Sequence, residues 1–94
     1  MTGPVLVVAD NDAIARLAPH WAEQFAAAGR LHRVRLAGPS SDREIERLAA
    51  EARSLAAVAI AAAGGDVARS LAAAVATRLG LPLIPPEAAA GGER

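Results

Sequence analysis

Val5-Leu6-Val7-Val8, followed by Ala9 and then Asp10-Asn11-Asp12, is the stretch that decides the fold. Four apolar residues in a row, three of them β-branched and none alternating with polar ones, suit a strand buried on both faces. The Asp and Asn side chains that follow favour turns and helix starts, so they end it. A strand covered on both faces needs helices on either side of a parallel sheet. The rest of the chain should then alternate helix and strand.

Downstream, apolar residues recur at Ile14, Leu17, Ala18, Trp21, Phe25 and Ala28, which is helical spacing. Pro19 falls inside this pattern. An interior proline costs about 3 kcal/mol, whereas the first helical turn tolerates one. The reading is a turn or short helical piece over 12–17, then a main helix from about Pro19 that Gly29 closes. Trp21 and Phe25, one turn apart on the apolar stripe, read as core.

Arg33-Val34-Arg35-Leu36 alternates, which predicts a strand with one partly solvated face near a sheet edge, and Gly38-Pro39 breaks it. Ser41-Asp42-Arg43-Glu44 has the form of a capping box. Ile45, Leu48, Ala49, Ala52 and Leu55 form the stripe of a second helix. Glu46, Arg47, Glu51 and Arg53 fall off it, with Arg47 and Glu51 spaced for an i,i+4 pair. Ala57-Val58-Ala59-Ile60-Ala61 reads as a third strand. Gly64-Gly65 forms a sharp turn with Asp66 as N-cap, and Val67, Leu71, Ala74, Val75 and Leu79 carry a third helix that ends at Gly80. Leu81-Pro82-Leu83-Ile84 reads as a short fourth strand whose proline suits a strand start or an edge, and Pro85-Pro86 stops it.

The expected fold class is α/β: a three-layer Rossmann-like or flavodoxin-like sandwich around a four-stranded parallel sheet of order 2-1-3-4. One domain over residues 1–86 is expected, with 87–94 as a flexible tail. Where the strand order reverses, a crevice opens outside the carboxyl ends of strands one and three. The loops there are 9–12 and 62–66.

Composition narrows the chemistry. The chain has 94 residues, of which 53 % are apolar, and roughly half of those are alanine. Large side chains suffice for one thin core. No apolar stretch is long enough to span a membrane, and no signal-peptide pattern opens the chain, so a cytoplasmic protein is expected. The absence of cysteine removes disulfides, thiolate metal sites and cysteine nucleophiles. Ten basic and ten acidic residues cancel, which argues against a nucleic-acid or anionic-membrane binder. Every basic residue is arginine, so Schiff-base chemistry and a P-loop lysine are both excluded.

Gly64-Gly65 before a helix would let a phosphate approach backbone N–H groups at a positive dipole end, although the Asp66 carboxylate would compete for them. Without a ligand, the same residues are a tight strand-to-helix turn. Asp10 and Asp12 could hydrogen-bond a ribose or, with Asp66, hold a divalent metal, but turn and cap chemistry is the better reading of both. His20 and His32 lack metal-ligand spacing and read as surface or hinge histidines. The serines form no nucleophile elbow.

Four stretches resemble the N-terminal nucleotide-binding domain of the glycerol dehydrogenase, glycerol-1-phosphate dehydrogenase and dehydroquinate synthase family. They are Val7-Val8-Ala9-Asp10; Gly38-Pro39 with Asp42-Arg43-Glu44-Ile45-Glu46-Arg47-Leu48; Ala63-Gly64-Gly65-Asp66; and Arg78-Leu79-Gly80-Leu81-Pro82-Leu83-Ile84 with Pro86-Glu87-Ala88-Ala89. The resemblance implies NAD(P) binding, with pyrophosphate over Gly64 and Gly65 and Asp10 near the adenosine. Asp66 stands where that family has its third glycine, and Glu87 where it has a threonine. The family's metal-binding helical domain has no counterpart in these residues. Asp10-Asn11-Asp12 and Ala61-Ala62-Ala63-Gly64-Gly65 also look like loops of aminoimidazole ribonucleotide carboxylase. Gly38-Pro39-Ser40 and Ala68-Arg69 stand where that family has functional histidines.

The candidate cofactor-binding set is therefore Asp10, Asn11, Asp12, Gly38, Gly64, Gly65 and Asp66, with no catalytic and no metal-binding residue. The expected function is a small stand-alone or degenerate Rossmann-like module that binds a nucleotide or sugar phosphate, with NAD(P) possible by resemblance. It would act as a homo-oligomer or as a subunit of a larger complex, since two sheet edges invite pairing. The alternatives are an interaction module that has lost its ligand and an enzyme acting on a ribonucleotide-like substrate.

Overall fold

The computed structural model describes residues 3–86. The tail expected over 87–94, with Glu87, lies outside the described residues. Strand and helix alternate as β1 (Val5–Ala9), α1 (Asn11–Ala27), β2 (His32–Leu36), α2 (Asp42–Leu55), β3 (Ala59–Ala63), α3 (Asp66–Leu79) and β4 (Leu83–Ile84). The four strands form one parallel sheet in the order β2-β1-β3-β4, which is the α/β sandwich expected.

β1 lies inside the sheet with all five residues buried, and its alternating side chains build two cores. Val5, Val7 and Ala9 pack with Ala13, Trp21 and Phe25 of α1 and with Ala59 and Ala61 of β3. Leu6 and Val8 pack on the other face with Ile60, with Leu48, Ala49 and Ala52 of α2, and with Leu71, Ala72, Val75 and Ala76 of α3. Alanines on β3 and the helices let the backbones approach closely. The largest fully buried side chain is Phe25, worth about 1.5–3 kcal/mol of apolar burial.

Four boundaries differ from the sequence reading. α1 is continuous from Asn11 through Pro19 rather than starting there. Pro19 is exposed, and the carbonyl four residues earlier belongs to exposed Ala15, so water can satisfy the group that loses its N–H partner. Burial of Ala13 before the proline, and of Trp21 and Phe25 after it, outweighs the cost. β2 begins at His32, which is neither a hinge nor a free surface residue. Its ring stacks on Phe25 with centroids 4.4 Å apart and planes 6° from parallel.

β3 runs two residues later than expected. The Ala57 N–H is still bonded to the Ala52 carbonyl as part of the α2 C-terminus, and pairing with all of β1 extends the strand to Ala63. β4 is shorter than expected, because only Leu83 and Ile84 align with Ile60 and Ala61.

Candidate functional site

The reversal of strand order falls between β1 and β3, whose carboxyl ends lie side by side: Ala9 is in register with Ala63. The crevice expected there is formed by the residues that leave these two strands.

Asp10 dominates it. As N-cap of α1 its Oδ1 accepts the Ala13 N–H at 2.9 Å, while its Oδ2 accepts the Gly65 N–H at 2.8 Å. One carboxylate thus ties the start of α1 to the start of α3. The Ala13 amide, then the Gly65 amide and Arg16, hold the Asp10 carboxyl below the usual carboxylate range. Gly64 has φ +111°, and a Cβ there would collide with the Asp10 carboxylate. Gly64 is therefore glycine because Asp10 lies against it.

Gly65, not Asp66, is the N-cap of α3; its backbone is extended and its carbonyl accepts from Arg69 N. No side chain caps this helix. The N–H groups of Asp66, Val67 and Ala68 have no acceptor within the helix, as in any first turn. Asp66 is exposed and only loosely paired with Arg69, at 3.9 Å.

The other candidates point elsewhere. Asn11 is exposed on the first turn of α1. Asp12 is exposed and turns along α1 to Arg16, 3.1 Å away. Gly38 follows β2, and its N–H donates to Glu44 Oε2 at 2.8 Å. Its amide is therefore not free for a ligand. The structure brings together Asp10, Gly64 and Gly65, with the exposed Asp66 following in the chain, and leaves Asn11, Asp12 and Gly38 apart from that contact.

The two side chains expected to form a capping box, Ser41 and Glu44, organise the neighbouring loop, but only Ser41 acts as expected. Ser41 Oγ caps the Glu44 N–H at 3.1 Å, which is one half of the capping box. Glu44 does not complete the box but turns to Gly38 and to Arg47, whose Nε lies 3.0 Å from Oε1. Glu44 is only 9 % exposed. Its hydrogen bond with Arg47, and that from Gly38, hold its carboxyl low, and Arg47 is raised in turn. The expected Arg47–Glu51 pair is not formed. Glu51 pairs instead with Arg33 and Arg35 of β2, beneath α2, a contact no helical spacing could reveal.

A separate open groove of about 430 Å³ lies between α2 and α3, lined by Ile45, Ala73, Ala74, Thr77 and Arg78. No group of three or more His, Asp or Glu among the described residues could hold a metal ion. No helix among them is long and apolar enough to cross a membrane. No protein-family model matches the chain, and no curated protein matches it.

Proposed function

We propose that this protein is a small ligand-binding module that takes a nucleotide or sugar phosphate at the β1–β3 switch point and has no catalytic residue of its own there. The observation that carries this reading is the bare first turn of α3 beside a glycine pair. A helix start with no side-chain cap leaves N–H donors and the positive dipole end to an anion, and Gly65 keeps the approach open. Each Asp10 oxygen takes a single amide, so further lone pairs are left for a ribose or sugar hydroxyl. NAD(P) remains the nucleotide favoured by the sequence resemblance.

A second reading has its own support. Asp10 already holds the Gly65 amide and Asp66 stands on the same turn, so two carboxylates share the start of α3 with any phosphate. On this reading the crevice is a structural lock and the protein is an interaction module.

A thermal-shift series with NAD, NADP, AMP, ATP and sugar phosphates, with and without Mg²⁺, separates the two. A ligand at 100 times its Kd adds about 2.7 kcal/mol, several degrees for a domain of this size. Binding at the crevice predicts a dose-dependent shift that Gly65→Glu abolishes. A Cβ at Gly65 meets only Asp10 Oδ2, at an ordinary 3.6 Å, so that variant should fold. A flat response in folded protein supports the interaction module.

A further inference from the structure

The outer edge of β2 is where unpaired backbone meets unmatched charge. Val5 N–H donates to the Leu31 carbonyl, and Ala37 N–H donates to the Ala9 carbonyl. With the β1–β2 register, these bonds turn the peptide groups of residues 31, 33, 35 and 37 toward β1. His32, Val34 and Leu36 therefore turn theirs away from the sheet. Two of those three carbonyls are held only by guanidinium groups: Arg35 Nη1 reaches Val34 at 3.2 Å, and Arg47 Nη2 reaches Leu36 at 3.1 Å.

The charge on this edge is lopsided. Arg33 and Arg35 converge on one oxygen of Glu51, at 2.9 and 3.2 Å, so two cations share one anion on the α2 face. On the α1 face, Val34 is partly buried and Leu36 is 49 % exposed; Leu31, just before the strand, is 71 % exposed.

We propose that the β2 edge docks an extended acidic segment of a partner protein as a fifth strand. Alternate carboxylates lie over Arg33 and Arg35, and the apolar residues between them lie beside Val34 and Leu36. Main-chain pairing supplies affinity and the alternating side chains supply selectivity. Incoming carboxylates draw Arg35 from the Val34 carbonyl it covers, and an N–H group of the added strand takes its place. A second copy of this chain is disfavoured, because two-fold pairing about Val34 sets Arg33 against Arg35 of the copy. The opposite edge of the sheet is a poor alternative: β4 has two residues, and Pro85 beside it has no N–H.

The test uses the full chain and two fluorescein-labelled peptides, one alternating Glu and Val, the other Lys and Val. The proposal predicts saturable binding of the Glu peptide alone, with slowed hydrogen exchange at the amides of His32, Val34 and Leu36. Val34→Pro removes one outward N–H and should abolish binding. Arg35→Glu should weaken it by about tenfold or more even if the proline variant fails to fold. Equal binding of both peptides, binding of neither, or protection elsewhere would overturn the proposal. So would concentration-dependent protection of the same amides without peptide, which would make a second copy the occupant.

Discussion

The Asp10 carboxylate ties the starts of α1 and α3 together, and its neighbours are shaped around it. Gly64→Ala would combine a positive φ with a collision against that carboxylate, for a cost of about 2–3 kcal/mol. Gly65→Ala, at an ordinary φ, should change stability by less than about 1 kcal/mol. Urea denaturation of the pair checks the contrast. pH dependence follows from the same residues. Asp10, Glu44 and Glu51 all titrate lower in the folded protein than their usual values of 3.8 and 4.5. Their contribution is complete above those values and is lost as pH falls through the depressed folded pKa of each. Burial lowers His32 from 6.5, which has the same sign: the unfolded chain binds that proton first, so stability begins to fall below about pH 6.5. Denaturation midpoints measured from pH 7 to pH 3 should therefore decline in two stages. His32→Phe should remove the first, which sets in below about pH 6.5. The role of Asp10 as a cap was legible in its residue type and place. Its bond to Gly65 was not, because nothing local in the sequence encodes a contact between residues so far apart.

At the scale of elements, α1 and α2 each carry one backbone cost that a single substitution relieves. Pro19 sits within α1, exposed and without an N–H to give. Pro19→Ala should stabilise the protein by about 1–3 kcal/mol. α2 ends at Ala56 in the left-handed region, φ 59°, where helices usually place glycine. Ala56→Gly should stabilise by about 0.5–1 kcal/mol, the relief of strain exceeding the added entropy of the unfolded chain. Thermal melts of both variants test this. The four strands and three helices were readable from apolar periodicity, because each buries one regular stripe. The misplaced boundaries have separate causes. Packing beyond Pro19 overrode its intrinsic cost, the α2 C-terminus consumed Ala57, and parallel pairing with β1 drew β3 on to Ala63.

At the scale of the molecule, two cores on one central strand hold a sheet whose strand reversal leaves Asp10, Gly64 and Gly65 together. That meeting was readable as topology, since right-handed crossovers leave few ways to order four parallel strands. The occupant was not readable, because glycine pairs and aspartates serve turns and phosphates alike. The most direct measurement is an amide-resolved NMR titration of the folded protein with AMP and with NADP. The proposed site predicts saturable shifts centred on the amides of Gly65, Asp66, Val67 and Ala68, absent in Gly65→Glu. Unmoved α3 amides at millimolar nucleotide, with the fold intact, would contradict it.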